Sequence, residues 1–365
     1  MAATTLRNSA NRLNSLWKGV HKTNVYGVGA VPAQQRYQST APSMVGRDFL
    51  TLKQFSSSEI HQLLWTAMDL KTRIKINREL FQPLKGKSMA MIFQKRSTRT
   101  RLSTETGFAL LGGHPVFLSP QDIHLGVNES IKDSARVLSR MCDLIFARVY
   151  GQDILDDLAA ESDKPVISGL SDLYHPLQIL ADFITLQEKF GRLKGLKVAW
   201  VGDGNNITHS LMMGCPKMGM DLRIATPVGY ETDKAVMEDA IELASEHGTS
   251  ITTSNDPMEV AHKADVIVTD TWVSMGQEDE KQERIQEFQG YQIDRNMVSA
   301  MADNWVFLHC LPRKPEEVTD DVFYDEKHSL VWQEAENRKW SVMAVMLHLI
   351  KDHACQTNRP NFNAK

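Results

Sequence analysis

The sequence predicts an α/β protein: two doubly wound parallel-sheet domains with an interdomain cleft, linked by a connecting helix and by a C-terminal helix that packs back. Three observations carry this. From residue 87 onward, short and nearly continuous apolar runs alternate with helix-patterned stretches. Strands that are apolar on both faces belong to parallel sheets covered by helices on both sides. The alternation pauses once, at the long amphipathic stretch HPLQILADFITLQEKFG (175–191), and then restarts. Finally, 365 residues suffice for two domains of ordinary size.

In the first set, KSMAMIF (87–93), HPVFLS (114–119), CDLIFARV (142–149) and KPVISGL (164–170) read as strands, with helices near 101–111, 129–140 and 152–161. The second set of strands is LKVAWVGD (196–203), DLRIATP (221–227), SITTSND (250–256), ADVIVTDTW (264–272) and NWVFLHCL (304–311). Apolar residues at helical spacing over about 333–353 form the last helix. The expected organisation is a first domain over 40–175, completed by 333–353, a connecting helix over 176–191 and a second domain over 192–332.

Composition narrows the class. Hydrophobic residues make up 42% and charged ones 24%, the balance of a globular protein, and no uncharged apolar run approaches the ~20 residues of a membrane helix. Residues 1–46 hold Arg7, Arg12, Lys18, Lys22 and Arg36 and no acid, in a Ser-, Thr-, Asn- and Ala-rich context without a continuous apolar core. That pattern fits an organelle transit peptide over residues 1–39, with a disordered basic tail as the plainer alternative. Without this stretch the chain carries 36 cationic and 45 acidic side chains, too acidic a body for general nucleic-acid binding. Cys142, Cys215, Cys310 and Cys355 form no CxxC pair and fit free thiols in a reducing compartment, which the mitochondrial matrix satisfies.

In open α/β sheets, ligands gather at the carboxyl ends of strands, and every chemically loaded motif here sits at such an end. FQKRSTRTR (93–101) follows the first strand and enters a helix expected to begin near Arg99 to Leu102. A nuclear address, a nucleic-acid stripe and a solvated helix end are the alternatives. A strand-to-helix turn already favours anions through free N–H groups and the helix dipole. Arg99 and Arg101 add planar forks suited to phosphate oxygens, and Ser97, Thr98 and Thr100 add hydroxyls. WVGDGNNITHS (200–210) carries a competing signal, since Gly202 and Gly204 begin a dinucleotide fingerprint. Ile207 occupies its third glycine position, and DLRIATP ends without the acidic residue that would read a ribose.

KRSTRTR, HPLQ, DTWVSMG and HCLPRKPEE, in this order, resemble the signatures of the aspartate/ornithine carbamoyltransferase family, and SMG with HCLP resembles its ornithine branch, in mitochondrial form with the leader. The resemblance spans essentially residues 45–353. It implies carbamoyl transfer from carbamoyl phosphate to the δ-amino group of L-ornithine, giving citrulline and phosphate, as in arginine biosynthesis and the urea cycle. It further implies a homotrimer that needs no cofactor and no metal. By resemblance, Ser97, Thr98, Arg99, Thr100 and Arg101 hold the phosphate, and Arg148 reaches both phosphate and carbonyl oxygen. His175 donates to that carbonyl oxygen; Gln178, on the same helical face, accepts from the carbamoyl NH2, as does the Leu311 carbonyl. Arg338, from EAENRKW, is a further carbamoyl-phosphate contact. Asn206, Asp270, Ser274 and Met275 take the ornithine, with Gly276 as hinge of a mobile loop, and Cys310, coupled to Asp270, orients or accepts the amine proton.

Three other readings are weighed against this: the same fold with putrescine, aspartate or an acetylated ornithine as acceptor, a nicotinamide-dependent dehydrogenase, and a catalytically silent relative. One position departs from the family pattern. Gln94 stands where a glutamate usually precedes the Lys-Arg pair, which puts any salt bridge made by that glutamate in doubt.

Overall fold

The computed structural model describes residues 41–119, 121, 123, 129–273 and 278–364. The expected leader (1–39), and Ser274, Met275 and Gly276, lie outside them.

The chain runs α1 (Ser57–Leu70), β1 (Ser88–Phe93), α2 (Thr98–Leu110), β2 (His114–Leu118), α3 (Ile131–Met141), β3 (Leu144–Arg148), α4 (Gln152–Glu161), β4 (Val166–Leu170) and α5 (Pro176–Phe190). It continues through β5 (Lys197–Val201), α6 (Asn206–Gly214), β6 (Asp221–Ala225), α7 (Lys234–His247), β7 (Ile251–Ser254), α8 (Pro257–Ala261) and β8 (Val266–Thr269). The last elements are α9 (Lys281–Glu287), α10 (Arg295–Ser299), β9 (Val306–His309), α11 (Asp320–Phe323) and α12 (Val331–Ile350). All nine expected strands form, trimmed by up to three residues at an end where the apolar runs included loop residues. Helix α1 went unread in the sequence, although Ser56 and Glu59 form a capping box that announces it.

Two parallel sheets result, ordered β2-β1-β3-β4 and β7-β6-β5-β8-β9. In each, the connections diverge from a central pair, β1 and β3 in the first sheet and β5 and β8 in the second. A crevice therefore opens beyond the carboxyl ends of each pair. Register brings Phe93 opposite Arg148, so the basic turn after β1 and the arginine closing β3 stand side by side. Helix α12 returns to pack on α1, α2 and α5. Its approach to α2 is close enough that a Cβ on Gly107 would lie 2.8 Å from Met343 Cγ, so any side chain there would displace Met343.

Candidate active site

Helix α2 begins at Thr98, earlier than the sequence suggested, because Ser97 caps it by accepting the Thr100 N–H at 3.2 Å. The first N–H groups of a helix have no intrahelical acceptor, so this turn presents donors at the mouth of the first crevice. A cavity of about 620 Å³ lies against it, walled on this side by Lys95, Arg96, Ser97, Thr98, Arg99 and Thr100. Arg148, His175 and Arg338 add to the wall, and from the other sheet come Asn206, Asp270, Cys310 and Leu311. Residues separated by more than 240 positions thus meet at one site.

The electrostatics are lopsided. Lys95, Arg96, Arg99, Arg148, Lys281, Lys314 and Arg338 face the cavity with Asp270 as the one carboxylate among the described residues of its wall. Burial, followed by the charges of Arg338 and Arg99, lowers Arg148 to about 10. Arg338 is lowered to about 10 chiefly by burial. Cations held this close are stabilised by a polyvalent anion between them. His175 is driven well below the ordinary histidine range by burial and by Arg338, Arg148 and Arg99, so it is neutral. Arg99 reaches across the cleft and donates through Nη2 to the Leu311 carbonyl.

On the facing side, Cys310 Sγ donates to Asp270 Oδ1 at 2.9 Å, and Asn205 Nδ2 approaches Asp270 Oδ2 at 3.3 Å. Burial and the Asp270 charge raise the thiol well above its usual range. Leu311 holds φ +62°, a left-handed backbone unusual for a leucine. His309 fixes that turn, since its Nδ1 accepts the Leu311 N–H at 2.9 Å while Nε2 faces buried Glu317 at 3.0 Å. Asp270, His309 and Cys310 lie close enough to suggest a metal site. Both imidazole nitrogens are already engaged and the thiol hydrogen is bonded to Asp270, however, so of the three only the carboxylate offers a cation a ready ligand.

Two expected site residues stand away from the wall. Arg101 lies with its guanidinium 3.5 Å from the Phe117 ring centroid and pairs with Glu105 at 3.0 Å. Gln178 sits behind the wall, where its Oε1 accepts from Arg338 Nη1 at 2.7 Å. Ser274 and Met275 lie outside the described residues. Lys281 and Lys314 in the wall, and Asn205 beside Asp270, were missed; Lys314 lies within HCLPRKPEE and Asn205 is the polar residue preceding α6, whereas Lys281 has no sequence signal.

The glycines after β5 serve packing. Gly204 donates to the Tyr230 carbonyl at 2.9 Å, and a Cβ on it would lie 2.5 Å from the backbone of Glu231 and Thr232. The face a pyrophosphate would need is filled by the chain itself, which removes the main support for a dinucleotide site.

Comparison with known proteins agrees with this geometry. Residues 47–188 match the family model described as aspartate/ornithine carbamoyltransferase, carbamoyl-P binding domain. Residues 194–349 match that of the Asp/Orn binding domain. The mitochondrial ornithine carbamoyltransferase of Aquarana catesbeiana is 57% identical over 350 residues, covering 96% of this chain and 98% of that protein. The mitochondrial ornithine transcarbamylase of Gallus gallus is 58% identical over 317 residues, covering 87% and 89%. Among solved structures, the ornithine carbamoyltransferase of Pyrococcus furiosus superposes with a TM-score of 0.82 at 47% identity, covering 85% of this chain and 99% of that one.

Proposed function

The chain belongs to the aspartate/ornithine carbamoyltransferase family, and from that premise we propose that it transfers the carbamoyl group of carbamoyl phosphate to the δ-amino group of L-ornithine. The observation that carries this reading is the cluster of Arg99, Arg148 and Arg338 facing the Asp270–Cys310 pair across one cavity. The first group suits a phosphate dianion and the second an ammonium.

In the proposed reaction, the turn from Ser97 to Thr100 and Arg148 hold the phosphate. As the C–O bond breaks, its electron pair moves onto phosphate oxygens, where fixed guanidinium groups stabilise it more than in the ground state. Neutral His175 donates to the carbonyl oxygen, and the amine nitrogen forms the new C–N bond while its second proton passes to the departing phosphate. An alkyl ammonium has an ordinary pKa near ~10.4, so it must lose a proton first. Because the Cys310 thiol is protonated and directed at Asp270, that carboxylate is the local base, with Cys310 aligning it. Asn206 and Asp270 suit the ornithine backbone groups. The Leu311 carbonyl and Arg338 suit the carbamoyl end.

The proposed organisation assigns 40–175 with 333–353 to carbamoyl phosphate and 192–332 to ornithine, with 176–191 as the link. A mitochondrial protein, resident in the matrix, accords with the basic leader and with the names of the frog and chicken relatives. A homotrimer is proposed as well; exposed Leu102, Val116, Val137 and Met141 on the first half offer apolar surface for it. The deciding assay is citrulline formation from carbamoyl phosphate and ornithine, with putrescine and aspartate as control acceptors. Faster carbamoylation of either control would overturn the acceptor assignment.

A further inference from the structure

Behind the cavity wall lies a buried polar knot that the proposed transfer does not use. Asp182 on α5 and Glu334 on α12 are each 1% exposed, and one amide nitrogen, that of Gln178, holds their two carboxyl groups side by side. Gln178 Nε2 donates to both, at 2.8 Å to Asp182 Oδ1 and 2.7 Å to Glu334 Oε1. Glu334 Oε2 accepts the His309 N–H at 2.8 Å, one residue before Cys310. Arg338 Nη1 links the knot to the cavity, lying 2.7 Å from Gln178 Oε1 and 3.1 Å from His175 Nε2.

Two buried carboxyl groups gathered on one amide nitrogen repel each other unless one carries a proton. Among the described residues, the ionisable groups that act on this pair are Arg338 on α12, Asp270 after β8, Cys310 after β9 and Cys215 at the end of α6. Arg338 is the one cation among them, so a pair with a single negative charge balances it. Burial pushes Asp182 up to about 7, and burial with the Asp182 charge pushes Glu334 well above the ordinary carboxylate range.

We infer that Asp182 and Glu334 share one proton and act as a positioning pair that sets which nitrogen of His175 carries hydrogen. The pair takes up the Gln178 amide hydrogens, which turns Gln178 Oε1 toward Arg338. The reversed amide would set NH2 against a guanidinium that has donors only. Arg338 therefore donates to His175 Nε2 as well, and the imidazole hydrogen resides on Nδ1. That nitrogen is buried and has no hydrogen-bond partner among the described residues, so its hydrogen is uncommitted, and in the proposed transfer it is the donor to the carbonyl oxygen. The inference rests on the proposed carbamoyl transfer only for the use made of that Nδ1–H.

The test is spectroscopic, on the full chain without substrate. At pH 8, Asp203, raised to about 6 by burial, is ionised. A protonated-carboxyl C=O infrared band should nevertheless persist there, and shift with 13C labelling of Asp or Glu side chains. It should vanish in Asp182→Asn and in Glu334→Gln. Nitrogen-15 NMR should find His175 as the Nδ1–H tautomer in the wild type and a loss of that preference in Gln178→Leu. Absence of the acid band at pH 8, or an Nε2–H tautomer, in the wild-type protein overturns the inference even if the variants fail to fold. Neither readout depends on turnover, so failure of the carbamoyl-transfer reading is separately visible.

Discussion

Cys310 Sγ donates a hydrogen bond to Asp270 Oδ1 across 2.9 Å, joining the carboxyl ends of β9 and β8. A buried thiol, raised further by the Asp270 charge and that bond, is a poor nucleophile. Alkylation of Cys310 by iodoacetamide at pH 7.5 should run about tenfold or more slower than that of a free thiol, because the thiolate fraction falls tenfold per pKa unit. Peptide mass spectrometry over time checks this; labelling at the free-thiol rate would refute the hydrogen bond. Cys310→Ser keeps a donor to Asp270 and should retain more activity than Cys310→Ala.

Arg99 and Arg101, two residues apart, have different surroundings. Arg99 faces the cavity, whereas Arg101 lies against Phe117 and Glu105. Losing charge-assisted hydrogen bonds at about 1.5–3 kcal/mol each, Arg99→Ala should weaken carbamoyl-phosphate binding about 100-fold. Arg99→Lys should restore part of it, since a point charge cannot fork. Arg101→Ala should change affinity less than about threefold, as a surface pair contributes little. Calorimetric titration separates the cases, and equal losses at both positions would bring Arg101 into the phosphate site.

Gln94 does backbone work that a glutamate can also do. Its Oε1 accepts the Tyr150 N–H at 2.9 Å, and its own N–H bonds the Arg148 carbonyl at 2.9 Å, tying the two turns together. Gln94→Glu keeps the acceptor and adds a charge near Lys95. We expect kcat to stay within about twofold while melting temperature or assembly shifts, with ΔΔG of about 1 kcal/mol. A large change in kcat with unaltered melting and oligomer size would contradict this.

His348, 3% exposed on α12, bonds Thr66 Oγ1 through Nε2 at 2.8 Å. Burial, then the charge of His353, lowers it to about 4. The unfolded chain therefore takes the proton first. The stability is complete above the ordinary histidine range and is lost as pH falls through the window from about 6.5 toward 4. Between pH 7 and 5 the loss should be about 2 kcal/mol, and His348→Gln should remove that part of the slope. Urea unfolding at both pH values measures it; an unchanged slope in the variant excludes His348 as the source.

Much of the molecule was legible in the linear pattern. Nine apolar runs mark nine strands, a single long helix divides them into two sheets, and the loaded motifs fall at strand carboxyl ends. These are short-range properties: strand and helix periods and turn chemistry are written within a few residues of each other. Tertiary structure decided which side chains face inward. Arg338 reaches His175 and Gln178 from 160 or more positions away, and Arg101 leaves the cavity that Arg99 lines. Gly204 meets the backbone of Glu231 where a dinucleotide was conceivable. The Asp182–Glu334 pair has no motif at all. Such choices depend on neighbours remote in sequence and on how buried charges and donors are balanced, so they exist only once the chain has folded.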